Sequence, residues 1–202
     1  MPTFDRTYFF ATARGALFGG RLRQEQVEGC NAILDRWESD YPDADRRWLA
    51  YLLGTAFHET AQRMAPIHEF GSSAYFERRY GRGTRVGREL GNACIGDGAR
   101  FHGRGFVQLT GRRNYADWSR RLSIDLLGEP DLALEPGIAA RILVEGSVRG
   151  TFTGRCLGDY FNEERDDWHH ARRVINGLDR AAHIAGLGRR FLTALGGSGT
   201  VA

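Results

Sequence analysis

Apolar residues recur at helical spacing along much of the chain. Between residues 24 and 41, Val27, Cys30, Leu34, Trp37 and Tyr41 fall on one helix face. The stretch "RRWLAYLLGTAFHET", residues 46–60, is apolar almost all round and predicts a long, largely buried helix with Asp43 or Asp45 as its cap. Trp48, Leu52, Ala56 and Glu59 then lie near one face. Glu59 stands at the C-terminal end, where the helix dipole gives a carboxylate no help. Residues 71–105 lose the period and turn rich in Gly, Ser and Arg, with a short helix expected around "SSAYFERRY". "GFVQLTG" alternates and predicts a short strand or an extended turn. "RRNYADWSRRL" predicts a helix, and "EPGIAARILVEGSVRG" another with Pro136 in its first turn. Further helices are expected over 166–176 and 179–195, followed by a flexible tail "GGSGTVA". The pattern is mainly α, with one irregular lobe inserted after the Glu59 helix.

Composition narrows the class. The 202 residues suit one domain, or one domain of two lobes. An apolar share of 42% is that of a globule and argues against global disorder. No run reaches the roughly 18 apolar residues that would span a bilayer. The N-terminus "MPTFDRTYFF" lacks the basic-then-apolar pattern of a signal peptide. The net charge is +3, and all 28 basic residues are arginine. They are spread along the chain, so no nucleic-acid partner is expected. Attraction to an anionic polymer such as bacterial cell wall is compatible with the sign. Cys30, Cys94 and Cys156 are odd in number and far apart, which predicts buried free thiols rather than a disulfide framework.

Several chemistries fall away. A zinc protease needs a second histidine four residues after the first, and Gln62 stands there instead. His68 and His102 could join His58 only through the fold, so no metal and no cofactor is expected. There is no Gly-x-Ser-x-Gly and no cysteine in a nucleophile context. "GRGTRVG" and "GRGF" lack the Walker lysine and the dinucleotide-loop spacing. A carboxylate pair remains. Glycoside cleavage needs one protonated carboxyl for the leaving oxygen and one ionised carboxylate for a water or a cation. Burial at a helix end favours the protonated form, and a solvated loop favours the ionised one. Glu59 and Glu69 fit that division. A buried Glu59 paired with Arg104 or Arg112 fits the residues equally well.

Three blocks favour the catalytic alternative. "GRGFVQLTGRRNY", residues 103–115, resembles the signature of glycoside hydrolase family 19, the chitinase-like branch of the lysozyme superfamily. "HET" at 58–60 resembles that family's general-acid motif, and "VING" at 174–177 resembles a third block. The order matches, and the resemblance covers roughly residues 45–195. "ALFGGRLRQEQVEGCNAILDRW" also looks like the small phage and prophage members, the endolysins. The resemblance implies a lysozyme-like, two-lobed, mainly α domain with minor β structure and a cleft between lobes. It places one catalytic domain over 1–195 and leaves 196–202 as tail.

By the same resemblance Glu59 is the proton donor and the reaction inverts the anomeric centre, which requires carboxyls about 6.5–9.5 Å apart. Glu69, ten residues on, is the preferred second carboxylate, as in short bacterial members. Glu77 is the runner-up, from the longer loop of plant members; otherwise it is a solvated helix residue paired with arginine. Glu89 and Asp97 are outsiders. Thr110 matches the hydroxyl that helps hold the attacking water, able to accept from water and donate to a carboxylate. His58, Gln108, Asn114, Tyr115 and Asn176 are the implied substrate-binding residues, with Tyr115 equally well a core tyrosine. Gly103, Gly105 and Gly111 serve backbone geometry.

The implied partner is peptidoglycan or chitin. The short single domain, the missing signal peptide and the phage-like block favour peptidoglycan, and the positive charge and absent disulfide framework agree with it. The expected protein is a monomeric, muramidase-type endolysin that resides in the host cytoplasm before release to the periplasm and cell wall. A chitinase and a non-catalytic wall-binding module are the alternatives. "LDRAAHIAGLGRRFLTAL", residues 178–195, is amphipathic, with Arg180, Arg189 and Arg190 on or near its polar side. Outer-membrane contact through it is one expectation, and a last core helix is the other.

Overall fold

The computed structural model describes residues 4–196. The predicted tail beyond Gly196 lies outside the described residues. The α-helices are α1 (Arg6–Ala16), α2 (Gln24–Asp40), α3 (Arg46–Glu59), α4 (Ser73–Tyr80), α5 (Arg85–Glu89), α6 (Asp97–Arg100), α7 (Arg112–Leu122), α8 (Pro136–Arg149) and α9 (Ala181–Ala194). Two short strands, β1 (Ile67–His68) and β2 (Arg104–Gly105), complete a mainly helical fold with a small sheet. The chain divides into two compact units. One comprises the chain up to Ala65 and from Ala140 onward; the other is Pro66–Ala139.

In the first unit α3 is the central helix. Asp45, one of the two predicted caps, accepts from the Arg47 amide at 2.8 Å. Every residue from Leu49 to Phe57 is buried. The helix meets α9 at two glycines: a Cβ on Gly54 would lie 2.8 Å from the Gly188 nitrogen, so only glycine permits that approach. Thr60 ends the helix. Its hydroxyl donates to the Ala56 carbonyl at 2.7 Å and accepts from the Met64 amide at 2.9 Å. Ala61, Gln62 and Met64 then take left-handed φ of 50°, 69° and 53°. Non-glycine residues adopt that region at a cost, commonly where function demands it.

The C-terminal segment corrects two expectations. Residues 166–176 form no α-helix, only a 3-10 turn over His170–Val174. The Asp166 backbone is held extended in a bridge to Phe161, and the Asp167 carboxylate accepts from the His170 amide at 3.0 Å. Helix α9 buries Ile184, Ala185, Leu187, Gly188 and Phe191, and packs on α3 and α1. The apolar face that outer-membrane contact through 178–195 would need is therefore occupied, and α9 is a core helix. Among the described residues, no helix is long and apolar enough to cross a membrane. Helix α1, with Phe9 and Ala13 buried, has no counterpart in the pattern-based expectations.

In the second unit β1 and β2 pair antiparallel, Ile67 opposite Gly105 and His68 opposite Arg104. In "GFVQLTG" only Gly105 belongs to a strand, β2, and the residues after it form a tight reverse turn. Arg104 bridges Leu109, and Gln108 has φ 54° at the bend. The three cysteines are free, as expected, but only Cys30 is buried, where desolvation pushes its thiol up to about 12. Cys94 is exposed and Cys156 is partly so.

Candidate active site

The first unit presents Glu59 at the end of α3. The carboxylate is 20% exposed, and its Oε1 lies 2.7 Å from a terminal guanidinium nitrogen of Arg172, whose side chain is only 4% exposed. Neither atom makes an aligned hydrogen bond, so the contact is one of charge and proximity. Arg104 and Arg112, the expected partners, are engaged elsewhere, with Asp131 and Asp97. Tyr51 and Thr55 precede Glu59 at i−8 and i−4 on the same helix face. Their hydroxyls are likewise buried without a protein hydrogen bond. An otherwise apolar helix thus carries a stripe of under-bonded oxygens that ends at Glu59. His58 packs edge-to-face with His183, ring centroids 5.5 Å apart. Burial lowers the pKa of His58, and Arg172, His183 and Arg180 lower it further against the pull of Glu59. Asn176 is exposed, with its carboxamide oxygen taken by the Gly177 amide at 2.9 Å.

The second unit fixes Glu69 directly after β1. Its amide donates to the Gly103 carbonyl at 2.7 Å, and the Gly103 amide donates back to Oε2 at 3.2 Å. The Tyr80 hydroxyl donates to Oε1 at 2.8 Å. Burial first, then the hydrogen bond to Glu69 and its charge, raise the Tyr80 pKa, which keeps that hydroxyl a donor. Gly103 has no room for a side chain: a Cβ there would sit 2.9 Å from Gln108 Oε1 and 3.2 Å from Glu69 Oε2. Gly105 and Gly111 have φ of 90° and 92°, a region suited to glycine.

Gln108, Thr110 and Asn114 form a chain in the same unit. Gln108 Nε2 donates to the carbonyls of Ile67 and Gly105 at 3.2 and 3.3 Å. The Thr110 hydroxyl donates to the Gln108 carbonyl at 2.7 Å, not to a carboxylate as expected. It therefore faces a water only as an acceptor. Asn114 Nδ2 donates to the Thr110 carbonyl at 2.8 Å. Tyr115 is fully buried, its ring 5.3 Å from Phe101, and its hydroxyl binds Arg104 and the His102 carbonyl. No face is open for a sugar, so Tyr115 is a core tyrosine, with burial pushing its pKa up to about 12.

Glu77, the runner-up, has a structural partner that is not an arginine. Its Oε1 accepts from the Ala99 amide at 2.8 Å, in the first turn of α6. His68 and His102 do meet, Nδ1 to Nε2 at 3.0 Å. His102 Nδ1 faces the Ala99 carbonyl at 2.6 Å and must donate, so Nε2 accepts from His68. Among the described residues no three His, Cys, Asp or Glu side chains gather to hold a metal ion.

Arg172 and Tyr80 were missed from the sequence. Arg172 stands two residues before the "VING" block, which was the one available signal. Tyr80 had none, because its link to Glu69 follows no helical or strand period.

A profile of the family described as Chitinase class I matches residues 37–142, just over half of the chain. The chain belongs to glycoside hydrolase family 19. The match includes "HET" and "GRGFVQLTGRRNY" but neither the "VING" block nor most of the N-terminal pattern. Chitinase C from Streptomyces griseus HUT6037 superimposes with a TM-score of 0.68 at 18% identity, over 98% of this chain and 78% of that one. A bacterial family 19 chitinase gives 0.60 at 18% identity, over 98% and 97% of the two chains. At such identity these likenesses establish the fold. Family 19 membership brings glycoside hydrolase activity with it.

Proposed function

We propose that this family 19 hydrolase cuts the β-1,4 bond between N-acetylmuramic acid and N-acetylglucosamine in peptidoglycan, with inversion. Glu59 donates a proton to the leaving oxygen. Glu69 takes a proton from the attacking water, and Thr110 accepts a hydrogen bond from the O–H that stays on it. The water's lone pair is then directed at the anomeric carbon. Arg172 positions Glu59 and balances charge as the donor becomes a carboxylate. Tyr80 and the Gly103 amide hold Glu69 in one rotamer, as an aligned base requires. The single observation that carries this reading is the grip on Glu69. Both its oxygens accept from donors fixed in the structure, which hold the carboxylate in one orientation.

Peptidoglycan is favoured over chitin by the resemblance of residues 16–37 to the phage enzymes and by the basic balance of the chain, which suits an anionic polymer. Chitin is the second reading, because the matched family and both similar structures are described as chitinases. Digestion of purified peptidoglycan, borohydride reduction and mass spectrometry separate them. Reduced muramic-acid ends are expected. Reduced glucosamine ends would move the cut to the other bond. An intact wall with cleaved chitin oligomers would establish the second reading. A Glu59→Gln protein that still lysed the wall would place the chemistry elsewhere.

A further inference from the structure

A cavity of about 630 Å³ opens in the first unit, lined by Leu17, Phe18, Arg21, Arg23, Gln26 and Gln62 among others. It adjoins the Glu59 segment. Ala61 and Gln62, in the turn that follows α3, line it, and Phe18 packs edge-to-face on Phe57 of α3 at 5.3 Å. The wall is built rather than incidental. Gln26 is 6% exposed, donates to the Gln62 carbonyl at 2.9 Å and accepts from the Arg23 amide at 2.9 Å. That grip holds Ala61 and Gln62 in the left-handed conformation already noted.

The charges lining this cavity are set against local stability. Arg23 is the N-cap of α2 and Arg21 stands two residues ahead, at the helix end where a cation is disfavoured. Arg23 is paired at 3.0 Å with Glu25, both well exposed. Arg21 is exposed and makes no ion pair among the described residues. Arg21 is thus an exposed guanidinium at the cavity with its charge available to a ligand, beside Arg23 in an exposed and weak ion pair.

We infer that this cavity is a carboxylate-binding subsite in which Arg21 and Arg23 receive the acidic groups that peptidoglycan carries and chitin lacks. The inference rests on the peptidoglycan reading and deepens it. Two carboxylates are available: the lactyl group of muramic acid once its peptide is removed, and those of the stem peptide. A guanidinium fork recognises either. Phe18 and Leu17 offer apolar surface to the sugar or lactyl methyl beside it.

The test is binding to the Glu59→Gln protein, read by fluorescence or NMR titration with three soluble probes. These are the disaccharide-tetrapeptide, the same disaccharide with a free lactyl carboxyl, and neutral di-N-acetylchitobiose. At least ten-fold tighter binding of an acidic probe over the neutral one is expected, and that advantage disappears in Arg21→Glu/Arg23→Glu. Preference for the free-lactyl probe alone assigns the lactyl carboxyl, preference for the tetrapeptide alone assigns the stem, and preference for both means that the arginines accept either carboxylate. Equal binding of all three probes, or an advantage that survives the double substitution, overturns the subsite. An Arg21→Ala/Arg23→Ala protein with an unchanged melting temperature guards against a folding artefact. The two readings fail separately. A protein that binds acidic probes through these arginines yet cuts only chitin keeps the subsite and loses the muramidase assignment. One that cuts peptidoglycan without preferring acidic probes loses the subsite alone.

Discussion

Each unit holds a carboxylate against a guanidinium, and the two pairs are built to different ends. In the second unit Asp97 is 2% exposed and accepts four hydrogen bonds. Two come from Arg112, at 2.8 and 2.6 Å, and two from the amides of Ala93 and Cys94, at 2.8 and 2.9 Å. In the first unit Glu59 has one close contact with Arg172 and no aligned hydrogen bond, beside the under-bonded hydroxyls of Tyr51 and Thr55. A saturated carboxylate stabilises a fold. An unsaturated carboxyl is left free to carry and pass a proton to a substrate, at a cost in stability.

The sharpest test exchanges each acid for its amide. Glu59→Gln is expected to lower kcat/KM by about 10³-fold, the scale of general acid catalysis, and to destabilise the protein less than Asp97→Asn, because Arg172 loses a counter-charge but no aligned hydrogen bond. Asp97→Asn is expected to destabilise the protein by about 3 kcal/mol, because Arg112 then loses its counter-charge. Its specific activity, measured where it remains folded, should change little. Parallel thermal unfolding and kinetics on both proteins check this. Equal destabilisation by the two substitutions would mean that Glu59 is one more structural pair.

Arg172 sharpens the contrast. Arg172→Ala leaves Glu59 without its neighbour in a buried setting and should cost about 3 kcal/mol. Adding Glu59→Gln should return part of that loss, a coupling of about 1–2 kcal/mol in a double-mutant cycle. Additive losses would show that Arg172 serves packing alone.

Much of this arrangement was visible in the residue order, because it depends on local periodicity. The 3.6 repeat located α2, α3, α7 and α8 and put Glu59 at a helix end. Asp45 as a cap and Pro136 in a first turn are equally local signals. What escaped is what the chain closes over long separations. Arg172 reaches Glu59 across more than a hundred residues, and no pattern in the stretch between them encodes that meeting. The Glu77 carboxylate bonds an amide 22 residues on, which spacing arguments mistook for a solvated ion pair. Residues 166–176 carry apolar positions enough for a helix, yet side-chain bonds from Asp166 and Asp167 to Trp168 and His170 divert the backbone.

The same contrast has a pH signature. The Arg112 hydrogen bonds, helped by the two amides and opposed by burial, hold Asp97 down to about 2, against an ordinary 3.8. The folded value lies below the unfolded one, so the stabilisation is complete above about pH 4 and is lost as pH falls through about 2. The difference corresponds to about 2 kcal/mol. Urea unfolding between pH 5 and 2 should show this slope in the wild type and a flatter curve in Asp97→Asn. Parallel curves for the two proteins would remove Asp97 as the source.

The smallest effect tests the other candidate acid. Tyr80→Phe removes one donor from Glu69 and leaves the ring in place, stacked near Phe76 at 6.4 Å. The Gly103 amide at 3.2 Å and the backbone pairing of β1 with β2 remain, so the fold has little reason to change. The carboxylate gains rotational freedom instead. A base that samples several orientations holds its water in the attacking geometry for less of the time, which lowers kcat more than it raises KM. One lost hydrogen bond of this kind is worth about 1 kcal/mol, or a roughly five-fold fall in kcat. Because the raised Tyr80 pKa keeps the hydroxyl protonated, the fall should be uniform across neutral pH rather than appear at one edge of the profile. A change in melting temperature with kcat intact would instead make the Tyr80–Glu69 bond a brace for the strand pair. Glu69 would then join Asp97 and Glu77 among the carboxylates whose work is structural.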